Sequence, residues 1–255
     1  MTIKKAQPRA EQQVFALSQA RSEPVLWLKA VYHFCVFHYR MPDTVAIAAI
    51  TPFVPSPLTV KMSMVAALLQ RGEHAEAEKL APVLPQIKVQ IVPPSAAFSF
   101  KAFLRYRSVP AVESAIGLDE TGSFYPSRPH TREYALFADD LTVFIGLQDD
   151  QLKPVVERAL CSIRYLGCKD SQVWCRKVEV VTFDEVQGAP HVVPFSEGLT
   201  GVMILGADFA DDARLTLEDL IPGNRKKEHY RNSSFVLPGR ISVKGRARVF
   251  VRQDI

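Results

Sequence analysis

Four groups of residues in this chain have the types and spacing to do chemistry, and each suggests a phosphate or a base rather than a cofactor. Lys101, Phe103, Arg105, Tyr106 and Arg107 interleave rings with cations, the combination that grips single-stranded nucleic acid by stacking and phosphate contact. The same segment also fits a half-buried strand with a charged edge, on which Phe103, Arg105 and Arg107 share one face. Ser56, Thr59, Lys61 and Ser63 stand at the start of a helix, whose unpaired N–H groups and partial positive charge make a ready phosphate site. The plain alternative there is a cap and a lysine reaching water from a buried helix.

Gly167-Cys168-Lys169-Asp170-Ser171 places a cation and a hydroxyl at a helix exit. On residues alone it is a glycine C-cap and a solvated turn. Arg176 and Lys177 follow on a strand, so only one of them can point to a given side. The densest basic run is Arg225-Lys226-Lys227-Glu228-His229-Tyr230-Arg231. Each phosphate it contacted would steepen the salt dependence of single-strand binding by about 0.7.

Enzymatic chemistry has thinner support. The chain has no G-x-S-x-G, H-E-x-x-H or P-loop pattern. Metal-free RNA cleavage needs only a base, an acid and a cation, which His229, Tyr230 and Lys226 could supply. His33 and His38 read as satisfied core or edge histidines, and His74, His130 and His191 sit in loop-like contexts. Cys35, Cys161, Cys168 and Cys175 lack C-x-x-C spacing and read as small buried hydrophobes. Neither a metal nor a cofactor is expected.

These residues need a scaffold, and the composition can build one. The chain has 255 residues, of which 47% are hydrophobic and 23% charged, enough for a real core. The net charge is only +4, but its distribution is uneven. From Gly223 to Arg252 there are nine basic residues and one acid, Glu228, while 139–150 and 208–219 are acidic. No apolar run reaches the roughly 20 residues of a membrane span, and the N-terminus lacks a secretory layout, so a cytoplasmic protein is expected.

Residues 1–24 form a polar arm, and 25–37 have the aromatic and β-branched composition of a buried strand. The three prolines of 51–57 exclude regular structure, then Ser56 caps and Pro57 opens a helix that runs to Gln70, with Gly72 as its stop. Residues 87–92 alternate as a strand, 110–129 read as an extended loop, and 134–147 as a hairpin. A one-sided helix from Asp149 or Asp150 carries apolar residues as far as Leu166, with Gly167 ending it. Strand 173–181 follows, and 241–251 close the chain as a basic strand or hairpin. The skeleton is α+β: a ferredoxin-like (RRM-like) βαβ-βαβ core over 25–185 with a long hairpin insertion, then a β-rich basic C-terminal region over 186–255. The segment 186–222 shows no functional pattern.

Two passages resemble a known family. The proline-rich lead-in VPSPLTVKMSMVAALLQRG resembles the helix opening of the CRISPR Cascade subunit that caps the 5′ handle of the guide RNA. The passage ALCSIRYLGCKDSQVWCRKVEV is similar to that family's second signature, here Tyr165, Leu166, Gly167, Ser171, Val173 and Val178. The resemblance spans about 25–182. It departs where Ser-Pro-Leu-Thr replaces a longer proline run, and near the C-terminus, where Gly239 and Gly245 stand without a G-x-G-x-x-G loop.

The resemblance implies a non-catalytic subunit of a type I CRISPR effector complex. Its partners would be the guide RNA, the repeating backbone subunit and the large subunit, with target DNA nearby and no membrane. Together with the residue groups above, it makes the expected RNA-binding residues Ser56, Thr59, Lys61, Ser63, Lys101, Arg105, Arg107, Lys169, Ser171, Arg176, Arg225, Lys226, Lys227, Tyr230 and Arg231. Segment 99–106 could instead hook the neighbouring backbone subunit. Two alternatives stay open: a metal-independent guide-processing endoribonuclease on the same fold, and a protein-only assembly module.

Overall fold

A computed structural model describes residues 23–39, 48–107, 127–221, 224 and 226–253. The arm over 1–24 lies outside them except for its last two residues, as does Arg225. The side chains of 104–107 and 127–130 are likewise outside the description. In chain order the strands are β1 (Leu26–Phe34), β2 (Ala48–Ala49), β3 (Lys88–Val92), β4 (Ala96–Arg107), β5 (Ser127–Phe137) and β6 (Leu141–Leu147). They continue as β7 (Val173–Val181), β8 (Val193–Pro194), β9 (Val202–Phe209), β10 (Tyr230–Leu237), β11 (Gly239–Lys244) and β12 (Ala247–Arg252). The helices are α1 (Pro57–Gln70), α2 (His74–Leu80), α3 (Lys153–Ser162) and α4 (Phe183–Gln187).

The first sheet runs β3-β6-β1-β7 with every pairing antiparallel. Within each half, β1-α1-β3 and β6-α3-β7, a strand from the other half separates the two strands. That is the ferredoxin-like arrangement. In β1, Leu28, Ala30, Tyr32 and Phe34 are buried on the helix side, where the Tyr32 hydroxyl donates to the Leu160 carbonyl of α3 at 2.9 Å. Lys29, Val31 and His33 alternate onto the other face.

Helix α1 starts and stops as its residues dictate. Ser56 is extended, accepts from the Thr59 N–H, and is followed by Pro57 at the first helical position. Such a cap contributes about 1 kcal/mol. At the far end Gly72, at φ +80°, lets its own N–H reach the Leu69 carbonyl and that of Glu73 reach Leu68, which closes the helix with a Schellman motif.

Three readings are corrected. Residues 134–147 are not a hairpin: β5 pairs with β4 and β2, whereas β6 lies between β1 and β3. β6 is buried along nearly its whole length and therefore occupies a sheet interior, a demand that a local pattern cannot assign to a particular partner. Helix α3 stops at Ser162, because Ile163 turns to an extended conformation. Ile163 and Leu166 still reach the core, from a segment bridged at Tyr165 and Gln172. The cysteines are not buried fillers: Cys35 and Cys161 are exposed, and Cys168 and Cys175 are half-buried.

The inserted hairpin is β4 with β5, paired from Ala97↔Phe137 out to Arg107↔Ser127. It joins β2 and the C-terminal hairpin in a sheet of order β11-β12-β4-β5-β2. Buried Glu133 ties this sheet together. It accepts from Arg248 Nε at 2.8 Å and Nη2 at 2.6 Å, from Ser99 Oγ at 2.7 Å and from the Thr51 N–H at 2.8 Å. Burial pushes the Glu133 carboxyl up, but these donors outweigh it and hold the group below its ordinary value. The Arg248 guanidinium also lies 4.9 Å over Phe53, which stacks on Phe250. A third sheet, β8-β10-β9, completes the fold, and Phe209, Leu237 and Phe250 pack into the same core as Leu28 and Met64. Among the described residues, no helix is long and apolar enough to cross a membrane.

Candidate nucleic-acid interface

Helix α1 buries Val60, Met64 and Leu68 against the core and presents Leu58, Met62 and Leu69 only partly covered. Facing that stripe are the segment 217–221, the basic run at 226–227 and strand β10. Between them lies a cleft of about 810 Å³. Thr59 and Ser63 line its α1 wall, Tyr165 and Gly167 one end, and Lys226, Lys227, Tyr230 and Asn232 the far wall. Its interior is apolar and aromatic, with hydroxyls and cations at the margins. That composition suits unstacked bases attached to a phosphate chain.

The 165–171 turn is fixed by backbone geometry. Gly167 sits at φ +104°, and a Cβ there would lie 3.0 Å from the His38 carbonyl. Ser171 is buried; its Oγ accepts from the His38 N–H at 2.6 Å and donates to the His38 carbonyl at 2.5 Å. The His38 ring is buried and contacts the Glu133 carbonyl through Nδ1 at 2.8 Å, a satisfied core histidine. Burial lowers its pKa from the ordinary histidine value. Lys169 stands exposed on the turn, with no carboxylate partner among the described residues.

On the far wall, Lys226 Nζ lies 3.0 Å from Asp219 Oδ1, and this contact raises the lysine above its ordinary pKa. The Thr216 N–H and hydroxyl, then Lys226, hold Asp219 well below the usual carboxylate range. Lys227 lines the cleft without a carboxylate partner among the described residues, and the Tyr230 ring leans on Phe209 at 5.5 Å.

Several expected residues lie elsewhere. Lys61 is not a surface cation: its side chain is 1% exposed, and its Nζ is 2.7 Å from Asp208 Oδ1 on β9. It pins α1 to the third sheet. Ser56 is buried, its hydroxyl engaged with the Tyr39 hydroxyl at 2.9 Å and with Thr59. Lys101 is exposed on β4, on a different sheet from the cleft; Arg105 and Arg107 follow on that strand, with side chains outside the description. Arg231 lies 3.8 Å from Asp211 and lines a second, smaller cavity of about 250 Å³. Arg176 is on β7, in a cluster with His33, Asp140 and Trp174.

His229 is buried and does not line the cleft, and its Nδ1 has no hydrogen-bond partner among the described residues. Of the three residues named for RNA cleavage, Lys226 and Tyr230 line the cleft while His229 does not, and Lys226 is paired to Asp219. Among the described residues no group of three or more His, Cys, Asp or Glu could hold a metal ion.

Sequence reasoning missed one wall of the cleft. Leu217, Leu220 and Ile221 come from a stretch without a recognisable pattern, and Asn232 carries no signal beyond its place after the basic run. Tyr165 was visible only as part of a family signature.

No protein-family profile matches the sequence. The chain is 28% identical over 158 residues to the CRISPR-associated protein Cas5 of Archaeoglobus fulgidus, a match covering 61% of this chain and 65% of that protein. The match thus spans just under two thirds of that relative's length. Among solved structures, a CRISPR protein from Archaeoglobus fulgidus aligns at TM-score 0.42 and 13% identity, over 90% of this chain and 93% of that one. A chain of the Type III-B Cmr-beta complex bound to cognate target RNA aligns at 0.43 and 11% identity, over 69% and 67%. A chain of a CRISPR RNA-guided surveillance complex aligns at 0.40 and 13%, over 82% and 87%. The resemblance first seen in two motifs is borne out at the level of sequence: over 158 residues this chain is similar to a CRISPR-associated protein Cas5.

Proposed function

We propose that this chain is a non-catalytic subunit of a type I CRISPR effector complex, that it holds the 5′ handle of the guide RNA in the cleft beside α1, and that it caps the backbone filament. One observation carries the reading: an apolar and aromatic cleft of about 810 Å³ that collects Thr59, Ser63, Lys226, Lys227 and Tyr230 on one surface. Rings and aliphatic carbons take bases, while Lys227, which has no carboxylate partner among the described residues, takes a phosphate. Lys169 extends the positive rim past Gly167. The β4–β5 hairpin, with Lys101 and a largely exposed Phe103, is the element offered to the repeating backbone subunit. The large subunit and target DNA are further partners in this reading.

The test is fluorescence anisotropy with a labelled handle RNA and a scrambled RNA of equal length, each at two salt concentrations. The proposal expects tighter binding of the handle and a negative slope of log affinity against log salt. Equal, salt-independent binding of both would support a protein-only assembly module. Specific cleavage of a repeat RNA in EDTA, lost on His229→Ala, would favour the endoribonuclease.

A further inference from the structure

The face of the ferredoxin-like sheet that looks away from α1 and α3 is divided in two. Over one half lies α4: Trp27 packs on Phe183, Val186 joins Val92 and Phe144, and Lys29 Nζ meets Glu185 at 2.7 Å. The other half carries an aromatic and cationic cluster in which Trp174 is 45% exposed and Arg176 50%. Trp174 on β7 pairs in register with His33 on β1, and their rings stand 4.3 Å apart. Arg176 lies 5.8 Å from the Trp174 ring. His33 Nδ1 is 2.7 Å from Asp140 Oδ1, and Arg176 Nε is 2.9 Å from Asp140 Oδ2, so imidazole and guanidinium are both held in place.

We propose that Trp174, His33 and Arg176 form a second binding platform, on the opposite side of the sheet from the cleft, for one or two bases of a single-stranded nucleic acid. A large flat ring that is 45% exposed and already held between contacts with imidazole and guanidinium can stack a base at little ordering cost. The exposed charges nearest Trp174 favour an anionic partner over a basic or purely apolar one, and the exposed ring favours one that carries bases. In the two ion pairs that flank Trp174 on its own strand the cation is the more exposed member, Arg176 at 50% against Asp140 at 25% and Lys177 at 60% against Glu179 at 33%, whereas the Lys29–Glu179 pair farther along the sheet runs the other way. The most exposed charges beside Trp174 are therefore the Arg176 and Lys177 cations. The site stands on residues the cleft does not use, so it does not depend on the handle-binding reading.

Intrinsic fluorescence tests it, because the chain has two tryptophans and Trp27 is only 4% exposed. Short oligouridylate and short oligothymidylate are each titrated into the full chain. The proposal expects saturable quenching by at least one of them. With labelled oligomers, Trp174→Ala should weaken binding about tenfold and Trp174→Phe much less. Lys227→Ala, in the cleft, should leave the quenching unchanged, so failure here and failure of the handle site remain distinguishable. Quenching by RNA alone would assign the platform to a guide-side strand, and quenching by DNA to a target strand. Absence of quenching by either, quenching abolished by Lys227→Ala, or burial of Trp174 by self-association of the chain would each overturn the proposal.

Discussion

Replacing Lys61 by Met separates a phosphate ligand from a structural pin. The lysine is sealed between α1 and β9 with its ammonium 2.7 Å from Asp208 and 5.9 Å from the Phe209 ring. Breaking a buried ion pair from one side costs about 3–5 kcal/mol when the remaining charge is buried as well. Here Asp208 stays 28% exposed and accepts from the Phe209 N–H at 2.8 Å, so part of its hydration and one donor survive. Methionine keeps the length of the apolar stem, which limits any cavity. The expected loss is therefore about 2–3 kcal/mol, or roughly 5–10 °C in Tm for a chain of this size. It would be measured by urea unfolding and thermal circular dichroism. Affinity for handle RNA, measured well below the new Tm, should change less than about twofold, with the same salt slope. Lys227→Met should do the reverse, shifting stability by no more than about 0.5 kcal/mol and flattening the slope by about 0.7. A Lys61→Met protein of unchanged stability and reduced salt slope would refute the reasoning.

Glu133→Gln should cost about 3 kcal/mol in urea unfolding, because it leaves the Arg248 guanidinium without its carboxylate. The added hydrogen exchange should concentrate at β12 and 51–56; evenly spread exchange would contradict the network's role. Stability should also fall in two steps on acidification. The folded pKa of His38 is depressed, so the unfolded chain takes the proton first and stability drops as pH falls below about 6.5. The folded pKa of Glu133 is depressed too, so its contribution is intact above about 4.5 and lost below it. His38→Gln should remove the first step and keep the second, as unfolding free energies measured across pH would show. Gly167→Ala should destabilise by about 1–2 kcal/mol, since φ is +104° and the new Cβ meets the His38 carbonyl. A neutral result in urea unfolding would mean that the turn yields.

The elements of the ferredoxin-like core were legible because their signals are local. Ser56-Pro57 and Gly72 bound α1, aromatic and β-branched composition marks β1, and alternation marks β3. Pairing was less legible. The run 141–147 announces a strand, yet nothing within it says that its neighbours are β1 and β3 rather than β5. Burial of a charge was invisible as well. Lys61 is the single charged residue of α1, and only the arrival of Asp208 from a distant strand turns it inward. Half of the cleft was readable from the basic run and the hydroxyls of α1; the wall at 217–221 was not, because apolar residues in an irregular segment give no period. Trp174 and Asp140 became a cluster with His33 only through sheet register.

Crosslinking tests the central claim most directly. A guide RNA carrying 4-thiouridine through its 5′ handle is bound to the full chain, irradiated and digested, and the crosslinked peptides are mapped by mass spectrometry. Crosslinks from the handle should fall within 57–70, 165–171, 217–221 and 226–232, the four segments that supply most of the cleft's lining. Handle crosslinks confined to the β4–β5 hairpin or to the Trp174 face, with none in those segments, would contradict it.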